Sequence, residues 1–163
     1  MGAETYRGPA AFSEPETRAI RDFVLAHPNI TAAISFHTYG ELILYPYGYT
    51  ASPSPPDMNP HGLSLFRALG RAMASTTGYT LQQASELYVT DGDTVDWLYG
   101  ALGIYAFTFE MYPPTEPPGF YPPATYIRRE TLRNLPAVLY LTEMADHPER
   151  SLWKRTHLAL VAK

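Results

Sequence analysis

Apolar residues recur along this chain at two different spacings, and the change of spacing divides it into helices and strands. Rows of Ile, Leu, Phe and Val at three- and four-residue spacing predict helices, whereas short β-branched runs predict strands. Helices are predicted over residues 14–26, 60–76, 94–102 and 125–145, and strands over residues 30–37, 41–45, 79–85 and 104–110. The repeated alternation predicts an α/β layer structure.

The first predicted helix has both a start signal and an apolar row. Ser13 followed by Glu16 predicts a capping box, in which each side chain bonds a free backbone N–H of the first turn. Ile20, Phe23 and Val24 supply the apolar row. Pro28 follows directly after His27 and predicts the end of this helix, since the residue before a proline disfavours the helical conformation.

The last predicted helix is long and carries a proline in its interior. Its apolar row consists of Ile127, Leu132, Leu135 and Leu139. A proline inside a helix removes one backbone hydrogen bond, so Pro136 predicts a kink.

Two residues able to do chemistry stand at the ends of predicted strands. His37 closes the run 30–36, and Glu110 closes the run 104–109. In open α/β sheets ligands bind in the crevice at the carboxyl ends of the strands. An isolated histidine or glutamate is more often an ordinary packing or surface residue, so position alone leaves both interpretations open.

Composition narrows the range of functions. The chain has 163 residues, of which 45% are hydrophobic and 17% charged, which is typical of a globular protein with one core. A net charge of −4 without a basic stripe argues against nucleic-acid binding. Because the chain contains no cysteine, any metal must be held by His, Asp or Glu. No apolar run is long enough to span a bilayer, and no signal-peptide pattern is visible.

Several longer motifs point to a family. Residues 34–50 read ISFHTYGELILYPYGYT, and residues 79–110 contain Leu-Tyr, Asp-Trp and Phe-Thr-Phe-Glu in the string YTLQQASELYVTDGDTVDWLYGALGIYAFTFE. With these motifs and their spacing, the chain resembles the zinc carboxypeptidases of the carboxypeptidase A/B and T type. The resemblance runs from residue 4 to about residue 145 and covers only the later half of the family's catalytic domain.

The resemblance implies a fold and a domain division. The fold class is α/β, with part of a mixed β-sheet flanked by helices on both faces, as in the later half of a zinc carboxypeptidase. Residues 1–145 are expected to form the C-terminal part of the catalytic domain. Residues 146–163 form a tail outside the resemblance.

The resemblance also implies a catalytic site. His37 matches the later of two zinc-binding histidines, and the other two ligands, an HxxE pair, are expected upstream of this chain. The implied cofactor is Zn²⁺, which activates a water molecule and polarises the carbonyl of the peptide bond. Glu110 matches the glutamate that takes a proton from this water and passes it to the leaving amine.

Further positions match residues that contact the substrate. Tyr88 matches a mobile tyrosine that contacts the terminal carboxylate, and Tyr39 matches a tyrosine that lines the substrate groove. Val95 is expected at the floor of the side-chain pocket, with Thr108 on its wall. Asp93 either turns inward, where it could pair with a basic side chain, or outward as a solvated loop residue. These positions predict a preference for hydrophobic C-terminal residues, with secondary cleavage after lysine and arginine.

The implied function is a zinc-dependent metallocarboxypeptidase that removes C-terminal amino acids from peptides, in a parent protein longer than this chain. The chain alone is expected to be inactive and to self-associate through surfaces that the missing N-terminal half would cover. The alternative is a non-catalytic peptide-binding or structural domain with the same fold. The resemblance favours a secreted protein, although the residues themselves do not specify a compartment.

Overall fold

The computed structural model describes residues 8–153, and the end of the predicted tail, residues 154–163, lies outside them. In chain order the elements are α1 (Pro15–Ala26), β1 (Ala32–Thr38), β2 (Leu42–Tyr45), α2 (Pro60–Thr77), β3 (Thr80–Gln83), α3 (Ala84–Leu87), α4 (Thr94–Leu102), β4 (Tyr105–Met111), a 3₁₀ turn (Ala124–Tyr126) and α5 (Ile127–Met144). The predicted α/β alternation is confirmed. Within the described residues, no helix combines the length and the apolar character needed to cross a bilayer.

The strands form one mixed sheet in the order β1-β4-β2-β3. β1 runs parallel to β4, β4 runs antiparallel to β2, and β2 runs parallel to β3. The register of the first pair sets His37 directly beside Glu110. The two strand ends that carry the candidate chemistry are therefore neighbours, although 73 positions separate them along the chain.

Helices cover both faces of the sheet, as predicted. Side chains on a strand alternate between faces, and on β4 Phe107 and Phe109 join the larger core cluster with residues of α2 and α5. Ala106 points to the other face, where it packs with Val24 of α1 and Leu98 of α4. Thr108 and Glu110 share the face of Ala106 because they follow it at two-residue steps. The candidate chemistry thus lies on the α4 side of the sheet.

α2 is the best-packed helix, because its apolar row is buried and both of its ends are capped. Asn59 caps its start by accepting a hydrogen bond from the Gly62 backbone N–H, at 2.7 Å. Gly78 ends it with a positive φ of 74°, a conformation that glycine adopts without strain. Phe66 and Leu69, from its apolar row, are fully buried.

The capping box predicted for α1 is wrong. Glu14 is the N-cap residue, and no side-chain hydrogen bond caps the helix. Pro15 occupies the first helical position, which suits a proline because the N–H it lacks would be unpaired there. The start is therefore one residue later than a box would require, and Ser13 instead donates a hydrogen bond to the carboxylate of Glu14 at 2.9 Å.

The apolar rows that predict α1 and α5 are largely exposed. On α1, Val24 is buried, whereas Ile20 and Phe23 are more than half exposed. On α5 the predicted row is exposed at Ile127, Leu132, Leu135 and Leu139. The helix buries a different row, which consists of Glu130, Asn134, Ala137, Leu141 and Met144.

Polar contacts hold α5 in this orientation. The Arg133 guanidinium donates to both carboxylate oxygens of Glu41, at 2.5 and 2.9 Å, and to the Thr77 carbonyl at 2.6 Å. Asn134 donates to the Tyr79 hydroxyl at 3.1 Å. These bonds turn the charged and amide side chains inward, so the leucines face outward. The helix continues unbroken through Pro136.

Candidate active site

A cavity of about 220 Å³ opens at the carboxyl ends of β1 and β4. One wall comes from the sheet and the other from the segment between β3 and α4. The sheet supplies Ser35, His37, Leu44, Thr108 and Glu110, and the segment supplies Ala84, Leu87, Tyr88, Thr90, Gly92, Asp93 and Thr94. Five of the seven candidate site residues therefore line one cavity.

His37 stands near the end of β1 with its side chain exposed toward the cavity. Ser35 lies two positions earlier, on the same face of the strand, and its Oγ is 2.9 Å from His37 Nε2. This contact occupies Nε2, so Nδ1 is the ring nitrogen available to a ligand. The hydroxyl also restrains the rotation of the imidazole ring.

Glu110 is only 8% exposed, in contrast to its neighbour His37. Burial disfavours the charged carboxylate and raises the pKa of Glu110, while the nearby His37 partly opposes this shift. A raised pKa moves a carboxylate toward the range in which it exchanges protons near neutral pH. Glu110 therefore has the electrostatic environment that suits a general base.

Tyr88 and Asp93 lie on the opposite wall, at the two ends of a loop. Tyr88 is 63% exposed at the cavity mouth. Asp93 is the N-cap of α4, where its Oδ1 accepts a hydrogen bond from the Val95 backbone N–H at 2.9 Å. Asp93 thus lines the cavity and caps a helix at once, a combination that neither the inward nor the outward interpretation of the sequence foresaw.

Two predicted site residues do not line this cavity. Val95 is fully buried, and its side chain packs between α4 and β4 with Leu98, Ile104 and Ala106 rather than on the cavity lining. The reason is its position in the first turn of α4, where the cap sets its side chain toward the sheet. Tyr39 lies outside the lining, and its ring packs edge-on against Phe120.

The described residues do not by themselves make a complete zinc site. A catalytic zinc takes three protein ligands and keeps one position open. Within residues 8–153 no group of three or more His, Cys, Asp or Glu is placed to hold a metal ion. His37 has the chemistry of one ligand, and its neighbour Glu110 does not complete the set.

Sequence reasoning missed Ser35, Leu44 and Gln83. The signal for Ser35 was present, since residues two apart on a strand share a face. Leu44 is adjacent to Thr108 in the β2–β4 register, which the apolar pattern of short strands does not specify. Gln83 does not line the cavity, and its bonds join it to residues more than 30 positions away, which no local pattern indicates.

Comparisons with known proteins identify the family of this chain. The sequence profile of the family described as zinc carboxypeptidase matches residues 2–137. A zinc carboxypeptidase of Saccharothrix mutabilis subsp. capreolus is 48% identical over 117 residues, which cover 72% of this chain and 27% of that protein. Human carboxypeptidase A1 is 39% identical over 150 residues, which cover 90% of this chain and 35% of that protein.

Solved structures show the same fold. Bovine thrombin-activatable fibrinolysis inhibitor, in complex with tick carboxypeptidase inhibitor, superposes with a TM-score of 0.77 at 33% identity, over 91% of this chain and 50% of that one. The chain spans 27–35% of the length of these two curated relatives.

Proposed function

The chain belongs to the zinc carboxypeptidase family, and we propose that the protein carrying it is a zinc-dependent metallocarboxypeptidase that removes C-terminal amino acids from peptides. The observation that carries this proposal is the pairing of His37 and Glu110 on neighbouring strands, at one cavity, with Glu110 buried. Their juxtaposition supports chemistry at the end of the sheet.

In this proposal Glu110 is the general base. It takes a proton from the attacking water and passes it to the amine that leaves. Its raised pKa supports both steps, because the carboxylate must accept the proton and later release it. Tyr88 contacts the terminal carboxylate of the substrate from the opposite wall, and Tyr39 lines the groove that leads to the cavity.

We propose that His37 supplies one zinc ligand and that the remaining ligands lie outside this chain. An isolated single ligand binds zinc weakly, since ordering a site costs entropy that one bond does not offset. The chain alone is therefore inactive. The exposed rows of α1 and α5 and the free edge of β1 pack, in this proposal, against the rest of the same domain.

The proposal is tested by Glu110→Gln in the full-length protein. The amide keeps the size of the side chain but cannot accept the proton, so kcat should fall about 10²-fold or more on a peptide with a C-terminal leucine. Tyr88→Phe should act mainly on KM, because it removes one contact with the bound carboxylate. Glu149→Gln, at an exposed position after α5, serves as the matched control.

Metal analysis of the same samples distinguishes a metallocarboxypeptidase from a non-catalytic domain. A metallocarboxypeptidase holds zinc in the wild type and in Glu110→Gln, and only the wild type hydrolyses the peptide. A full-length protein without zinc and without hydrolysis would support the non-catalytic alternative. Near-wild-type kcat in Glu110→Gln would remove Glu110 from the mechanism.

We further propose that the pocket prefers hydrophobic C-terminal side chains and accepts lysine and arginine second. Leu44, Ala84 and Leu87 give the lining apolar surface, and Thr108 adds a hydroxyl on the wall. A hydrophobic pocket discriminates by about 1–3 kcal/mol for each methylene-scale difference. Asp93 is the acidic group of this lining that can pair with a basic side chain.

Replacing Asp93 with Asn tests this preference. Asn caps a helix about as well as Asp, so α4 should remain intact. The kcat/KM for substrates that end in Lys or Arg should fall by roughly tenfold, which corresponds to the loss of about one hydrogen bond to a charged group. The kcat/KM for substrates that end in Leu or Phe should not change. Asp91→Asn, two positions earlier and away from the lining, is the control. An equal fall for all substrates would show that Asp93 acts through the helix and not through the pocket.

A further inference from the structure

The wall of the cavity opposite the sheet has little regular structure of its own. This wall segment, residues 84–94, supplies seven of the twelve lining residues. It contains the four-residue α3 and a loop in which Tyr88 and Val89 are both at least 60% exposed. Few apolar contacts therefore hold it in place, and its position must depend on bonds to another part of the chain.

Gln83 stands at the start of the wall segment and is 3% exposed. The two hydrogens on its Nε2 are shared among three carbonyl oxygens of one strip of chain: Tyr47 at 2.9 Å, Thr50 at 2.9 Å and Ser52 at 3.1 Å. We call this strip, residues 47–52, the anchor segment. The side chain of Gln83 also accepts the Glu86 backbone N–H, and the Gln83 N–H donates to Glu86 at 2.9 Å. One buried amide thus joins the anchor segment to the first turn of α3.

The anchor segment also holds the middle and the far end of the wall. The Thr90 backbone N–H donates to the Gly48 carbonyl at 3.0 Å. The backbone N–H groups of Gly48 and Tyr49 donate to the Asp96 carboxylate at 2.9 and 3.1 Å. A Cβ on Gly48 would lie 2.5 Å from Thr90 Oγ1, so a larger residue at position 48 would displace the Thr90 hydroxyl. The anchor segment therefore holds the wall segment at Thr90 within it and at Gln83 and Asp96 on its two flanks.

We propose that Gln83 is a positioning residue that sets the substrate-side wall of the cavity by holding the anchor segment in place. It touches neither the cavity nor the candidate catalytic groups and acts through the Gly48–Thr90 contact on Tyr88 and Asp93. The three carbonyls that it satisfies belong to irregular chain, so no other backbone bond substitutes for them. The kinetic part of this inference rests on the proposed peptidase function, whereas the structural part does not.

The experiment compares Gln83→Glu with Gln82→Glu in the full-length protein by amide hydrogen exchange. Glutamate at position 83 keeps an acceptor for the Glu86 N–H but cannot donate to the three carbonyls when ionised. Exchange at Gly48, Tyr49 and Thr90 should accelerate at least about tenfold, while amides in α2 keep their wild-type rates. Gln82 is the adjacent strand residue and makes none of these bonds, so Gln82→Glu should leave all of these rates unchanged. Unchanged exchange at Thr90 in folded Gln83→Glu would overturn the proposal.

Kinetics supply the second measurement. With a peptide that ends in leucine, Gln83→Glu should raise KM about five- to tenfold and leave kcat within about twofold, because the wall that orients substrate is loosened while Glu110 is not. A fall in kcat at constant KM would overturn the positioning role. If the wild type hydrolyses nothing but the exchange result holds, the positioning contact stands and the proposed function fails.

If Gln83→Glu does not fold, amide hydrogen exchange of the wild-type protein tests the proposal instead. The proposal requires Gly48, Tyr49 and Thr90 to open together, so their amides should share one protection factor. That factor should exceed that of Val89 by at least about tenfold. Unequal protection at Gly48 and Thr90 would mean that the two segments move independently, and the proposal would be wrong.

Discussion

The helices α2 and α1 have similar apolar patterns in the sequence, but only α2 buries its apolar row. α2 buries nine of its 18 residues against the sheet, whereas α1 buries one of its 12. We call α2 and α4 with β2, β3 and β4 the packed side, and α1, β1 and the outer row of α5 the open side. Helical periodicity appears equally on both sides, so it indicates that a helix forms but not whether its apolar face is covered.

The sheet shows the same contrast. β4 lies between two strands and is buried over most of its length, whereas β1 pairs with β4 on one edge and exposes Phe36 by 48%. Soluble proteins rarely leave a long apolar edge and an apolar helix face together on one side. In the proposed metallocarboxypeptidase domain, the open side is the surface that packs against the rest of the domain. We therefore expect the stability of the chain alone to depend on the packed side.

The largest effect should come from Phe66→Ala on the packed side. Phe66 is fully buried, with the rings of Tyr99, Tyr105 and Phe107 at centroid distances of 4.8, 5.1 and 5.4 Å. Removing a buried phenylalanine ring leaves a cavity and typically costs about 3–5 kcal/mol in the free energy of unfolding. Urea denaturation, monitored by tryptophan fluorescence and circular dichroism, measures this change.

The control for Phe66→Ala is Leu139→Ala on the open side. Leu139 is 59% exposed, so its replacement should change the free energy of unfolding of the isolated chain by no more than about 0.5 kcal/mol. Similar losses at the two positions would contradict the division into a packed and an open side.

A smaller effect is expected on association of the 163-residue chain through its open side. The isolated chain should self-associate, and replacing Ile20 and Phe23 together with Lys should weaken this association at least about tenfold. Burying one such side chain contributes about 1.5–3 kcal/mol, and a tenfold change corresponds to about 1.4 kcal/mol. Sedimentation equilibrium measures the dissociation constant.

The matched control places the same two charges on α2, as Ser64→Lys with Ser75→Lys. Both serines are exposed on the outer face of that helix. This pair should leave association unchanged, which would exclude a general effect of added positive charge. A wild-type chain that is strictly monomeric would show that the open side is stable in water and needs no cover.

Local signals explain which parts of the fold could be predicted. The limits of α4 agree with the prediction because Asp93 caps its start and Gly103 ends it, and both act on their immediate neighbours. The capping box at Ser13 fails for an equally local reason, the shift that Pro15 imposes. β3 is shorter than predicted because Gln83 and Glu86 form a capping box that starts α3.

Contacts between distant residues explain what could not be predicted. The exposed row of α5 depends on the bond between Arg133 and Glu41, which are 92 positions apart. The bonds of Gln83 to the anchor segment span 31 to 36 positions and follow no periodicity. The strand ends at His37 and Glu110 could be located from sequence, but their pairing depends on the register of the sheet.

The last effect is a dependence of stability on pH, and it concerns a polar group of the packed side, Asp96. Burial disfavours its charged form and raises the pKa of Asp96 from 3.8 to about 6, although the N–H groups of Gly48 and Tyr49 act in the opposite direction. Between these two pH values the folded chain binds a proton that the unfolded chain does not. The free energy of unfolding should therefore decrease as the pH rises from about 4 to about 6.

Asp96→Asn removes this titration while keeping one oxygen that accepts the N–H of Gly48 or Tyr49. Its free energy of unfolding should decline less steeply than that of the wild type over the same pH interval, because the neutral amide needs no proton. Urea denaturation at several pH values from 4 to 7 measures both slopes. Equal slopes would mean that Asp96 is as well hydrated as the exposed carboxylates of α1. The packed side would then include the apolar residues of α4 but not the first turn of that helix.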